Sequence, residues 1–377
     1  MYRHRTPVFF VGTRPEAIKL GPVIAAYCAL ADHDPRVLCT GQHAPALVRG
    51  ILVDLGVPED LVCDSDGIEP SDLTPDIVHN LARMVDAIST DRLLTRDDTD
   101  YVVQGDTTSA LAAALVGRLR GARVHHVEAG LRSNGPTPHP EETHRRTIAA
   151  LAAVHYAPSA AAAEHLTHER VQGQIVLTGQ TGYDAIDLVR ANAESGWSSD
   201  HFVGPGSLFA LVALHRRDDR DGRLDRLACA ITHLSRQGVV PVVLAHGSAP
   251  VDPAWAAALG TRHTKPIVIP GGLHYRAVHA LLASQRCIAV VTDSGGLHEE
   301  AAYFGVPTIS VRKHSERANL RLTTMAWQPE EVARALGAIE LAPGHRIRFA
   351  GVFSSPSATA TASQIVAAHV NSYAIRP

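Results

Sequence analysis

The chain has 377 residues, 45% of them hydrophobic, with 35 Lys and Arg against 38 Asp and Glu and a formal net charge of −3. That length exceeds one usual core and predicts two domains of roughly 150 to 200 residues, while the balanced charge, without a clustered Lys/Arg run, argues against nucleic-acid or membrane partners and for a small ligand. Five scattered cysteines (Cys28, Cys39, Cys63, Cys229, Cys287) without a CxxC pair suit buried thiols in a reducing compartment, and with no apolar stretch near ~20 residues the expected location is cytoplasmic.

In chain order, short Val/Ile/Leu runs alternate with longer Ala/Leu segments of helical spacing, the pattern of parallel sheets covered by helices. PVFFVG, RVLCT, YVVQG, RVHHV and VHYAP are expected strands of a first domain. QIVLTG, LFALVAL, VVPVVLAH, KPIVIP, CIAVVT and PTISV are expected to follow as a second set. The glycines of LTGQTGYDAIDLV, near residues 177 to 189, suggest a connector between the sets, and SGWSSDHFVGPGS a loop. The expected fold is therefore α/β, with two doubly wound, Rossmann-like domains facing a central cleft. Their expected bounds are 1–175 and 176–355, with a last helix, TASQIVAAHVNSY, in 356–377 that can return to the first domain.

In such sheets the loops after the carboxyl ends of the strands form the ligand crevice. GTRPEAIK brings Arg14 and Lys19 there, cations that would otherwise be ordinary surface charges. GDTTSALA brings Asp106, which could equally cap the helix that follows. RVHHV ends in Glu128, and after a Gly/Ser/Asn/Pro stretch the chain returns two more acids, Glu141 and Glu142. LFALVAL delivers His215 with Arg216 and Arg217, and CIAVV delivers TDSGGLHEE. There Ser294, Gly295 and Gly296 would turn backbone N–H groups and a positive helix end toward a phosphate. Glu299 and Glu300, one turn on, suit a vicinal diol; an ordinary strand–helix turn with solvated acids is the plainer alternative. No GxGxxG follows the first strand and no Walker pattern occurs, so no nicotinamide, flavin or nucleotide-triphosphate fingerprint is present. Nor do the 22 histidines supply HExxH or another ligand spacing, and no metal is expected.

The ordered motifs GTRPEAIKLGPVI, TGQH at 40 to 43, GDTTSALA, HVEAGLRS, PEE at 140 to 142, HRR after LFALVAL, and TDSGGLHEEA span about residues 8 to 317. In this set the chain resembles the non-hydrolysing UDP-N-acetylglucosamine 2-epimerase family. The resemblance implies a glycosyltransferase-B-like pair of domains, a homodimer, and interconversion of UDP-N-acetylglucosamine and UDP-N-acetylmannosamine without an added redox cofactor or metal. In that family UDP leaves C1 as C2 loses its proton, giving a 2-acetamidoglucal to which UDP adds back after the face is changed. The resemblance puts Asp106, Glu128 and Glu141 on the catalytic acids and His215 on the active-site histidine. It puts Arg14, Lys19, Arg145, Ser294, Gly295, Gly296 and Glu300 on positions that bind substrate or UDP.

Two other outcomes stay open at this level: a hydrolysing 2-epimerase that releases UDP and N-acetylmannosamine, and a UDP-sugar glycosyltransferase or silent UDP-sugar sensor. The chain also departs from the family pattern at His139, His144, Asp218 and HSERAN, 314 to 319. Family members borrow a Gln from TGQH, here Gln42, and a histidine matched by His246, to bind activating UDP-N-acetylglucosamine. The altered surroundings GIEPSDLT and LAHGSAP lead to the expectation that such activation is weakened here.

Overall fold

The computed structural model describes residues 6–65, 68, 73–74, 76–92, 94, 100–133, 140–191, 196–215, 222–245, 250–271, 273–313, 322–339 and 360–374. The chain forms two compact units, residues 1–191 with 351–377, and residues 192–350.

The first unit contains strands β1 (Pro7–Val11), β2 (Arg36–Cys39), β3 (Val62–Asp64), β4 (Asp100–Gln104), β5 (Arg123–Val127), β6 (Val154–Ala157) and β7 (Gln174–Leu177). They form a parallel sheet of order β3-β2-β1-β4-β5-β6-β7. Its helices are α1 (Arg14–Leu30), α2 (Pro45–Asp54), α3 (Ile77–Thr90), α4 (Thr108–Leu119), α5 (Pro140–Leu151), α6 (Ala160–His168) and α7 (Thr181–Ala191). The second unit contains β8 (Phe209–Ala213), β9 (Val240–Leu244), β10 (Ile267–Ile269), β11 (Cys287–Thr292), β12 (Thr308–Val311) and β13 (Thr323–Ala326), all parallel in the order β10-β9-β8-β11-β12-β13. Helices α8 (Arg223–Arg236), α9 (Pro253–Ala258), α10 (Tyr275–Ala283), α11 (Gly295–Tyr303) and α12 (Pro329–Gly337) accompany it. The last helix, α13 (Ala362–Ala374), belongs to the first unit and packs on α1 and α7.

Every residue of β1, β4, β8 and β11 is buried. Strands covered on both faces have no solvent side to alternate with, so they read as unbroken apolar runs. Helix starts follow local chemistry. Thr13 accepts from the Glu16 amide with Pro15 in the first turn of α1, and Thr107 accepts from the Ala110 amide at α4.

The division lies at 191/192 rather than at 175/176. QIVLTG supplies β7, which pairs with β6 through Val154↔Gln174 to Ala157↔Leu177 and so completes the first sheet. The expected connector after it is helix α7, whose Tyr183, Ala185, Ile186 and Val189 are buried. Its helical spacing is masked in the sequence by Gly179 just before it and Gly182 in its first turn. Strands β3 and β13 were not expected. They are edge strands of three and four residues, each with one neighbour and at least one exposed residue, and thus carry no apolar run. All five cysteines are free thiols, and among the described residues no helix is long and apolar enough to cross a membrane.

Candidate active site

Each sheet has a switch point at which successive connections run to opposite sides, between β1 and β4 in the first unit and between β8 and β11 in the second. The segments after those strands diverge there and leave space at the carboxyl edge. Of the expected site residues, Arg14, Lys19, Asp106, Glu128, Glu141 and Arg145 belong to the first unit, and His215, Ser294, Gly295, Gly296 and Glu300 to the second.

Glu128 follows β5 directly and holds a left-handed backbone conformation, φ 65°. A non-glycine residue there stores on the order of 1 to 3 kcal/mol of strain, which persists only where side-chain contacts over-determine it. The contacts are visible. Glu128 Oε1 accepts from Lys19 Nζ and from Gln180 Nε2, the latter at 2.9 Å, and Oε2 accepts from Gln104 Nε2. The Lys19 and Glu128 side chains are only 9% and 5% exposed, so this is a buried, hydrogen-bonded ion pair. Beside it, β4 turns at Gly105, φ 70°, a conformation glycine takes without cost. A neutral His126 donates from Nε2 to the Gly105 carbonyl at 2.8 Å, burial having pushed its ring down to about 3.

Asp106 does not cap α4. Thr107 takes that role, which leaves the Asp106 carboxylate to pair with Arg145 Nη2 from α5. The Asp106 side chain remains 28% exposed, while its carbonyl accepts from His144 Nδ1 at 2.8 Å. Arg145 is oriented in turn by Glu142, 3.1 Å from Nη1. Glu142 also accepts from the Ser133 amide and hydroxyl at 3.1 Å and from Arg146 Nε at 3.0 Å. It is thus a buried hub that holds Arg145 and the end of the 131–133 segment. Glu141, one residue earlier, is half-buried at the first turn of α5. Arg14 opens α1, with its amide donating to His43 Nδ1 at 3.2 Å.

Glu16 is fully buried at the start of α1. Its carboxylate accepts from the Gly12 amide at 2.8 Å, the Thr13 hydroxyl at 2.9 Å and the Thr107 hydroxyl at 2.6 Å. Burial outweighs those bonds and pushes its carboxyl from 4.5 up to about 7. The folded chain then binds more protons than the unfolded one between these values. Stability from this group is full below pH 4.5 and is lost as pH rises to about 7, a change of roughly 3 kcal/mol. Glu16→Gln should flatten that part of the stability–pH curve, as measured by urea unfolding from pH 4.5 to 8.

In the second unit, the His215 amide donates to Asp293 Oδ2 at 2.8 Å, and its ring Nδ1 lies 3.5 Å from Oδ1. Arg312 Nε donates to the Asp293 carbonyl at 2.7 Å. Ser294 is the N-cap of α11, so Gly295 and Gly296 occupy its first turn, where amides have no intrahelical acceptor. Glu300 lies farther along α11, 3.7 Å from His279 Nε2 of α10, and Glu299 is buried.

Glu16, Gln104, Gln180, His126 and Asp293 were not among the expected site residues, yet they hydrogen-bond to those residues or to the segments that carry them. Gln104 and Gln180 did carry a signal, a polar residue at the end of an apolar run, but Gln180 was assigned to the wrong domain. Arg216, Arg217, Asp218, His246, His139 and the 314–319 segment lie outside the described residues. Among the described residues no group of His, Cys, Asp and Glu side chains is arranged to hold a metal ion.

The profile of the family described as UDP-N-acetylglucosamine 2-epimerase matches residues 28–338. A Yersinia pestis protein named UDP-N-acetylglucosamine 2-epimerase is 31% identical over 330 residues, 81% of each chain. The structure of Methanocaldococcus jannaschii UDP-GlcNAc 2-epimerase, solved with UDP-GlcNAc and UDP, superposes with a TM-score of 0.79 at 23% identity, covering 98% of this chain and 99% of that one. Phytolacca americana UGT2, solved with UDP-2-fluoro-glucose and pterostilbene, gives a TM-score of 0.61 at 12% identity, with 98% and 99% covered. These two likenesses are of fold, two Rossmann-like domains of the glycosyltransferase-B type.

Proposed function

The chain belongs to the UDP-N-acetylglucosamine 2-epimerase family, and from that premise we propose that it interconverts UDP-N-acetylglucosamine and UDP-N-acetylmannosamine without hydrolysis. The observation that carries this proposal is the group of acids around the first switch point, Glu128 ion-paired with Lys19 and Asp106 with Arg145, with Glu141 on the first turn of the helix that bears Arg145.

The hydrogen at sugar C2 is not alpha to a carbonyl, so direct removal would leave an unstabilised carbanion. Elimination avoids it. A base takes the C2 proton, the C–H electron pair becomes the C1=C2 bond, and the C1–O pair departs with UDP. Addition reverses each step, with the proton returned to C2 on the other face. Both directions need one carboxyl ionised and one able to donate, and cations that stabilise UDP while it is free. Lys19 and Arg145 each place a cation against one of these carboxyls. Ser294, Gly295 and Gly296 are assigned to the diphosphate, at a helix start suited to anions. His215, backed by Asp293, is assigned to the departing phosphate.

Two carboxyls alone would also serve a hydrolase, and a UDP site alone would serve a glycosyltransferase; products separate the three. Enzyme given only UDP-N-acetylglucosamine in heavy water should form UDP-N-acetylmannosamine carrying deuterium at C2, read by NMR, with total UDP-sugar conserved. Free N-acetylmannosamine and UDP would overturn the non-hydrolysing reading. A dependence on an acceptor would favour transfer, and full retention of the original C2 hydrogen would point to internal redox chemistry instead.

A further inference from the structure

Thr13-Arg14-Pro15-Glu16 fits the capping-box pattern, in which an acid three residues after the cap reaches back to the helix start. Glu16 does this, accepting from the Gly12 amide and the Thr13 hydroxyl. Two features exceed that local duty. Its side chain is fully buried, and its other oxygen accepts from Thr107 Oγ1 at 2.6 Å, a partner 91 residues away. Thr107 adjoins Asp106 and caps α4. The short segment 105–107 is thereby anchored at each residue: the Gly105 carbonyl by His126, the Asp106 carbonyl by His144, and the Thr107 hydroxyl by Glu16. Of these three anchors, Glu16 alone ties the segment to the loop after β1, where Arg14 stands and Lys19 follows one turn on. A buried, perturbed acid next to reacting groups is more often found at functional sites than in ordinary helix starts.

We propose that Glu16 is a positioning residue, whose carboxylate joins the Arg14 loop to the Asp106 loop and so holds the Asp106 carboxyl in register with Lys19 and Glu128. The proposal rests on the epimerase reading of the same site. Glu16 touches no substrate in this account. It acts on turnover because a displacement of about 1 Å in a reacting group costs on the order of 10²-fold in rate.

The test measures kcat and KM for Glu16→Ala, Glu16→Gln and Thr107→Ala, together with amide hydrogen exchange across residues 105–110 by mass spectrometry. Glu16→Ala should lower kcat about 10²-fold with KM changed less than threefold and speed exchange in 105–110 more than elsewhere. Glu16→Gln, which keeps an acceptor in place and is the variant surest to fold, should recover most of kcat. Glu16→Ala and Thr107→Ala should be non-additive in kcat, since they cut one tie. A Glu16→Ala kcat within threefold of the parent, exchange raised uniformly along the chain, or additivity of the pair would overturn the proposal. If the parent itself formed no UDP-N-acetylmannosamine, the epimerase reading would fall. The exchange arm would still decide whether Glu16 holds segment 105–107.

Discussion

Glu128→Gln is expected to slow turnover by roughly 10² to 10⁴ while UDP still binds. The amide keeps the size of the side chain and removes its capacity to take or give a proton. It also fits poorly where it stands. Both carboxylate oxygens accept from donors, Lys19 Nζ and Gln180 Nε2 on one and Gln104 Nε2 on the other. An amide nitrogen at either place would face an N–H group, leaving a buried donor unsatisfied at a cost of about 1 to 3 kcal/mol. The variant should therefore lose both turnover and denaturant resistance, the first measured by NMR of UDP-N-acetylmannosamine formation and the second by urea unfolding. Retention of near-parental kcat would show that the strand-end acid is structural. Glu142→Gln, at a hub that orients Arg145 and Ser133, should lose more than a surface carboxylate would.

Lys19→Met is expected to cost about 3 to 5 kcal/mol of folding stability, the usual result when one partner of a buried ion pair is removed and the other stays charged. The Lys19 and Glu128 side chains are 9% and 5% exposed, so water cannot replace the lost ammonium group. Methionine matches the lysine stem in length, which limits any cavity contribution. Adding Glu128→Gln to Lys19→Met should restore part of the urea midpoint, since the uncompensated charge is then gone. A double variant no more stable than Lys19→Met alone would refute the ion-pair account.

Unbroken apolar runs such as PVFFV and CIAVVT, separated by helix-spaced segments, were sufficient to read the parallel sheets in the sequence. Both patterns are local consequences of burial on two faces. Glu128 and the Asp106 segment could be placed for a related reason: an ionisable group directly after a buried strand falls at the carboxyl edge, where ligand crevices form. The family resemblance drew on the same short segments. Other features were settled by contacts between residues distant in sequence. The place of β7 depended on pairing with β6, and edge strands β3 and β13 depended on one neighbour each. The helix cap went to Thr107 rather than Asp106, although either side chain could make the bond locally. Arg145, 39 residues after Asp106, took up its carboxylate. The partners of Glu128 lie 24, 52 and 109 residues away, and Glu16 finds Thr107 at a separation of 91. A polar side chain carries its donors and acceptors in its own chemistry, but which of several near-equivalent partners it meets is a small free-energy difference, decided by the packing that brings remote segments together.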